Sequence, residues 1–518
     1  MCRKFFKYKT FLILFVLISF YQSATADNAD SIILNADNIS AYKGNLVKKN
    51  ISLGERDVNA WVFSPKAEDG AIATFAFPKT ECKGVKIEIK VASLQKPTVK
   101  NAEDVFRATL FQIENSKEVN KIRGVPVRSK IPENASDIRV VELESCYTPL
   151  KSLPIKIKIE RKAEDCSDTS DSPTALLSIN IIPVKALAEP TIVEDRKGYN
   201  SWPMMQSIGG KLVCTYSRGS AHVISEGSRD AYARVSNDGG KTWSMETIVS
   251  ADANYGEVPI GKGLDENGDM LLWLRFIGKD RIHKLFKTKD GVNFTLLAQP
   301  KLDVMPMQIT DVIHVPNVGM MSIWFTGNYG KQALNAWGTL VSKDNGKTWV
   351  QTVVESGLKN IDWNTEQSAV YLGDGKILAI ARVEHSSDTT ERAQFQLESR
   401  DYGKTWTRKR TNIGDIYIST PSLIFDKRTG LIYNYYYQRG RGMLKRRVVH
   451  IDKIFGNPLA WPNPEIVAFA SAIGYDAGNV NATTIGDKHY LAYYSGDSKN
   501  ASVVVSQADL IDGDGKDR

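Results

Sequence analysis

The sequence predicts an all-β chain in which a β-sandwich accessory domain precedes a six-bladed β-propeller. Three observations predict it. SNDGGKTW at Ser236, SKDNGKTW at Ser342 and SRDYGKTW at Ser399 are near-copies of one another. Residues 27 to about 188 alternate polar and apolar side chains. No segment sustains a helical period, and 38 Gly with 10 Trp favour turns and packed aromatics over a helical bundle.

The first 26 residues stand outside the fold. Arg3, Lys4, Lys7 and Lys9 precede the short apolar run Phe11 to Phe20, and Ala24-Thr25-Ala26 is a small-x-small cleavage site. Ten apolar residues are too few to span a bilayer. The reading is a cleaved signal peptide and a secreted or periplasmic protein, with no membrane contact after cleavage. The signal holds four cations and no carboxylate, so the mature chain carries +4 instead of +8. That mild excess suits an anionic partner. Nucleic acid is excluded as a partner, because no dense basic block with interleaved aromatics exists.

In residues 27–188, VKIEIKVASL and IKIKIERK have the period of two that marks half-buried strands. Polar turn-rich stretches such as DCSDTSDSP separate them, as in a β-sandwich that either binds carbohydrate or serves as a spacer. IIPVKALAEP (181–190) reads as the junction. Cys214, in the apolar run KLVCTY, reads as a buried thiol. One disulfide among Cys82, Cys146 and Cys166 is compatible with export, and spacing does not choose the pair. No spacing resembles a metal site, and no cofactor is implied.

Residues 189–518 hold the repeats. A degenerate copy, TKDGVNF, begins at Thr288, so successive copies are 52, 54 and 57 residues apart. Strand-rich repeats of that length are propeller blades. Asp452 and Trp461 fall where a decayed fifth copy is due, and a sixth unit fits the remaining chain, closed by a strand from near residue 190. Within each copy, Ser or Thr and Asp bond the backbone of a tight turn, and Gly adopts a conformation larger residues avoid. Trp243, Trp349 and Trp406 are expected to bury a ring between neighbouring elements.

S-x-D-x-G-x-T-W resembles the Asp-box of sialidases, over about residues 190–510. SWPMMQSIGGKLVCTYSRGSAH, TEQSAVYLGDGKILAIAR and YNYYYQRGRGMLKRR resemble more narrowly the catalytic domain of phage-type endosialidases, which cut α2,8-linked polysialic acid. The substrate implied is an anionic glycan, and the activity a glycosidase. A sialic acid carries a carboxylate on its anomeric carbon. Arginine matches it, because the planar guanidinium gives two parallel bonds and stays charged. The resemblance places such arginines at Arg382 and Arg439, with Arg441 as competitor for the second. It places a glutamate at Glu366, sixteen residues before Arg382 and across a strand–GDG–strand hairpin that returns the chain to it.

Three departures from ordinary sialidases stand out. Asn200-Ser201-Trp202-Pro203 replaces the first arginine motif. Asn479 stands about where the nucleophilic tyrosine should. His222 occupies the neighbourhood of the missing acid. Endosialidases share the last two departures, and their active-site histidine and tryptophan match His222 and Trp202. The resemblance therefore implies internal cleavage with inversion: water activated by Glu366, with His222 donating a proton or bonding substrate and Trp202 contacting sugar. Tyr475 as nucleophile, Asp230 as acid and Arg275 as a third arginine remain open alternatives. So do an exo-sialidase and a non-catalytic glycan-binding propeller. The chain ends at Arg518, so no trimerising C-terminal segment is expected.

Overall fold

The alternation read in IKIKIER becomes alternate burial in the strand Ile155–Arg161, whose isoleucines face a core and whose lysines do not. The computed structural model describes residues 31–43, 46–64, 70–75, 84–98, 102–114, 117–123, 127–132, 134, 137–147, 155–161, 172–184, 186–327, 335–383, 393–415, 419–439, 442–469 and 478–511. The signal region, Cys82, Cys166, Arg441 and Tyr475 lie outside them, as does the side chain of Cys146.

Residues 31–184 form two antiparallel six-stranded sheets. One runs Arg139–Tyr147, Gly84–Ser93, Thr174–Val184, Arg56–Phe63, Val47–Leu53, with Ile32–Asn35 also on Thr174–Val184. The other runs Ile39–Lys43, Gly70–Phe75, Ile155–Arg161, Glu103–Glu114, Lys117–Arg123, with Val127–Lys130 also on Glu103–Glu114. Ile87, Ile89 and Val91 of the first share one core with Ile155, Ile157 and Phe106 of the second. Buried Asp104 joins the sheets, bonding Arg161 at 2.7 Å on its own side and Arg139 at 2.6 Å and Thr174 at 2.9 Å on the other. The last strand runs to Val184, so 181–184, expected as junction, belong to a sheet.

From residue 199 onward, antiparallel meanders follow one another over 199–250, 255–298, 308–356, 364–410, 421–469 and 478–509. Thr191–Glu194 pairs antiparallel with Ala501–Asp509, adding an upstream strand to the last meander. A single parallel pairing, Tyr199 with Ala501, joins the first and last meanders into an eight-stranded sheet. Met205 N–H donates to Asn481 Oδ1 at 2.8 Å across the same seam. Glu194 pins the closing strand, accepting from Arg234 at 2.9 Å and Tyr216 at 3.0 Å. Burial opposes ionisation of that carboxylate, but its arginine and tyrosine donors hold it ionised well below the usual range. The arrangement is nearly all-β and consistent with a propeller.

The repeated boxes sit just before the last strand of their meanders and are hydrogen-bonded turns. Ser342 Oγ bonds Asp344 at 2.9 Å and accepts Gly346 N–H at 2.9 Å, while Asp344 Oδ1 accepts Thr348 N–H at 2.8 Å. The same pattern recurs at Ser236 and Ser399, and at Thr288, where Asn293 replaces the threonine. Gly346 has φ 85°, a conformation costly for any side chain. Trp349 packs on Trp273 of the preceding meander at 5.3 Å, and Trp406 on Trp337 at 5.7 Å. The fifth copy differs. Asp452 lies in the short helix Ile451–Ile454, and Trp461 is buried with its Nε1–H donating to Gln396 Oε1 at 3.0 Å. Position is kept there and the turn is not, because His450 stands where the serine is due and Ile454 where the glycine is due.

Candidate active site

Three innermost strands carry the same irregularity. Register slips between Ser201 and Met204, between Thr365 and Ser368, and between Gly478 and Asn481. At each slip one residue takes a left-handed backbone: Trp202 at φ 50°, Glu366 at 47° and Asn479 at 49°. Non-glycine residues adopt this rarely, and bulges of this kind re-aim side chains beside functional sites.

The hairpin Asn364–Gly373 and Lys376–Val383 brings Glu366 to Arg382, as the GDG turn predicts: Asp374 takes φ 51° and Thr365 pairs with Arg382. Arg382 Nη1 donates to Glu366 Oε2 at 2.6 Å. Thr420, just before the innermost strand of the fifth meander, donates to the same oxygen at 2.8 Å and lies 2.9 Å from Asn479 Oδ1. Glu366 Oε1 has no hydrogen-bond partner among the described residues. Burial opposes ionisation of Glu366, but the Arg382 charge, the Thr420 bond and the Arg439 charge outweigh it and hold the carboxyl below its usual range. The group is a carboxylate at neutral pH with one oxygen free to accept a proton.

Arg439 follows the strand Leu431–Gln438, is nearly buried, and donates to Tyr494 Oη at 3.2 Å. Tyr494 belongs to a ring cluster with Tyr199 and Trp202, at centroid separations of 5.9 and 6.2 Å. His222 completes the cluster at 5.1 Å from Trp202, with Nδ1 2.7 Å from Tyr199 Oη, and its own side chain is exposed. The sequence-predicted Glu366, Arg382, Arg439, His222 and Trp202 thus form one connected group with Asn479.

Other expectations fare differently. Trp202 is nearly buried, and the Arg229 guanidinium lies 4.5 Å over its ring, covering a face that a sugar would need. Asp230 bonds Tyr232 at 3.1 Å and its charge acts on Glu257, not on the Glu366 group. Arg275 pairs with His283 across its sheet and donates to the Met307 carbonyl at 3.0 Å. Cys214 is a free, buried thiol whose pKa burial raises.

Sequence reasoning missed Arg229, Thr420, Tyr199 and Tyr494. Buried Arg229 donates to the carbonyls of Ala221 and Val223, on either side of His222, and to Ser217 Oγ at 2.8 Å. A sequence signal existed only for the tyrosines, in the aromatic runs GYNSW and YLAYYSG. Among the described residues, no group of three His, Cys, Asp or Glu is placed to hold a metal, and no helix is long and apolar enough to cross a membrane.

The molecule is therefore a nearly all-β protein with Asp-box turns and an arginine–carboxylate site where its innermost strands bulge. A BNR/Asp-box repeat model matches residues 234–245. Among solved structures, a protein of unknown function from Dyadobacter fermentans DSM 18053 is similar at 15% identity, over 62% of this chain and 99% of that one, with a TM-score of 0.50. The Hadza microbial sialidase Hz136 aligns at 15% identity over 84% of this chain and 95% of its own, with a TM-score of 0.47. Trypanosoma rangeli sialidase in complex with the inhibitor DANA aligns at 13% over 62% and 58%, with a TM-score of 0.46. At 15% identity the first of these likenesses is one of fold. No curated protein matches the chain.

Proposed function

We propose that the chain is a secreted or periplasmic sialidase-type glycoside hydrolase that cleaves within chains of α-linked sialic acid or a related nonulosonic acid. In this reading the meanders are six propeller blades and residues 27–188 are a β-sandwich accessory domain. The observation that carries the reading is the convergence of an ionised Glu366 with Arg382 and Arg439 in one buried cluster. Binding an anion does not by itself require a carboxylate beside the arginines, because that carboxylate weakens their hold on the ligand.

Arg382 and Arg439 hold the substrate carboxylate and its charge through an oxocarbenium-like transition state. Glu366 Oε1 accepts a proton from water as that water attacks the anomeric carbon. His222, exposed at the edge of the group, donates to the departing oxygen. Asn479 occupies a bulge where ordinary sialidases present a phenol, and an amide cannot take over covalent attack. Direct attack by water inverts the anomeric centre.

Incubation of the mature protein with α2,8-linked polysialic acid, with products sized by anion-exchange chromatography, tests the reading. A ladder of oligomers is expected. Free sialic acid alone means exo-cleavage and directs attention to Tyr475. An unchanged polymer overturns the reading.

A further inference from the structure

Tyr494 has no part in the chemistry proposed above, yet it stands inside the connected group. It lies on the strand Lys488–Gly496 and pairs in register with Gly478, the residue before the Asn479 bulge. Its ring is fully buried. Tyr199 packs on it at a centroid separation of 5.9 Å and Trp202 at 6.2 Å, and these rings fix where its hydroxyl lies.

That hydroxyl is half used. Arg439 Nη2 donates to Tyr494 Oη at 3.2 Å, so the oxygen is the acceptor there. Arginine accepts nothing, so the phenolic proton must go to another group. No acceptor for it exists among the described residues. A buried donor without an acceptor is costly, and folded proteins leave few of them. The Arg439 charge also acts on Glu366, so the phenol is one side chain away from the carboxylate of the site. The first meander brings no cation to this place. Its bulge delivers Trp202, and Arg229 is committed to the Ala221 and Val223 carbonyls. Arg382 gives one N–H to Glu366. A ligand carboxylate has about four acceptor sites, more than the remaining N–H groups of one fork fill. An oxygen that accepts from Arg439 is within reach of the Tyr494 O–H, because the two groups already touch.

We propose that Tyr494 is a substrate-binding residue that donates its phenolic proton to the carboxylate held by Arg439, adding a neutral third donor to the two arginines. The proposal rests on the functional reading above. It makes the phenol a discriminator of charge, because a hydrogen bond to an ionised acceptor is roughly twice as strong as one to a neutral acceptor.

The test is titration calorimetry with sialic acid and its methyl ester, on wild type, Tyr494→Phe and Arg382→Ala. NMR of the anomer first released from polysialic acid accompanies it. Phenylalanine keeps the ring packing and removes only the hydroxyl. Tyr494→Phe is expected to weaken sialic acid about tenfold and the methyl ester about threefold or less, with residual turnover still giving the inverted anomer. Arg382→Ala is expected to weaken sialic acid as well. An equal loss for acid and ester in Tyr494→Phe overturns the carboxylate contact and makes the phenol a packing element. Wild-type affinity for sialic acid in Tyr494→Phe, with loss in Arg382→Ala, overturns the donor and leaves the functional reading standing. Retention of configuration in wild type, with turnover lost and affinity kept in Tyr494→Phe, makes the phenol a nucleophile and overturns both the donor and the inverting course. Failure of wild type to bind sialic acid overturns the donor and the functional reading together.

Discussion

Glu366→Gln separates a catalytic carboxylate from a structural one, because the two roles predict losses of different size. In the folded protein Glu366 Oε2 accepts from Arg382 at 2.6 Å and from Thr420 at 2.8 Å. Glutamine keeps the shape and one carbonyl acceptor but loses the charge. Charge-assisted hydrogen bonds contribute about 1.5–3 kcal/mol and neutral ones about 0.5–1.5, so weakening both bonds should cost about 2–3 kcal/mol of stability. Removing a general base costs about 10²- to 10⁴-fold in rate, or about 3–5 kcal/mol of barrier. The variant should therefore unfold only slightly earlier than wild type while kcat on polysialic acid falls by at least two orders of magnitude. Calorimetric affinity for the oligomer should hold or rise, since one negative charge near the substrate anion is gone. The pH profile adds a second readout. Because Arg382, Thr420 and Arg439 hold the Glu366 carboxyl below the usual range despite its burial, the wild-type rate should fall only at pH below the ordinary glutamate value. The residual rate of the variant should lack that acid limb. A kcat within threefold of wild type refutes the base. A collapse of the unfolding temperature together with lost affinity refutes it in favour of a purely structural Glu366–Arg382 pair.

Three further outcomes are expected. Burial raises the pKa of Glu257 to about 7, with Asp230 adding to it, and Oε2 of Glu257 has no partner. A raised folded pKa gives stability present in full below the unfolded value and lost as pH rises through about 7, so Glu257→Gln should unfold at a higher temperature than wild type at pH 8 and at nearly the same temperature at pH 4; an equal gap at both refutes the assignment. Asp401→Ala removes acceptors for Ser399 and for both donors of Thr405, and should cost about 1–3 kcal/mol in denaturant unfolding while kcat stays within twofold; a larger fall in kcat would give the box a role beyond its turn. Arg229→Lys keeps the charge but not the fork that grips the carbonyls flanking His222, so amides of residues 220–228 should exchange hydrogen faster and kcat should fall about tenfold, and unchanged exchange would refute the clamp.

What the sequence made legible is what local chemistry fixes. The box turns are read from eight residues because every bond in them closes within four positions, as between Asp344 and Thr348. The Glu366–Arg382 pair is read from one hairpin because its turn, GDG, leaves a single way for the chain to return. The rest of the site comes from distant strands. Thr420 reaches Glu366 across 54 residues, and Tyr494 reaches Arg439 across 55. Neither carries a pattern of its own, since threonine and tyrosine are ordinary strand residues. Arg229 is hidden for another reason: its partners are backbone carbonyls, which every sequence possesses. The burial of Trp202 followed from packing against a cation that sequence could not place.

The three bulges explain how one repeated strand can build a site from unlike residues. A bulge fixes the backbone, and therefore the direction of a side chain, without fixing its identity. At Trp202, Glu366 and Asn479 the same left-handed conformation delivers an indole, a carboxylate and an amide into one connected group. Each conformation carries strain that a regular strand would lack. Substituting glycine there should relieve strain and remove the delivered group at once. The sign of the net effect then distinguishes positions held for folding from positions held for chemistry. Asn479 is the informative case. Its Oδ1 shares the single Thr420 hydroxyl proton with Glu366 Oε2, so the amide sets how strongly Thr420 bonds the carboxylate. Asn479→Gly should therefore stabilise the fold or leave it unchanged while lowering kcat, with thermal unfolding and polysialic acid turnover measured side by side. A variant that loses stability and keeps turnover would show that this bulge serves packing, and would reopen a nucleophile elsewhere on the same strand end.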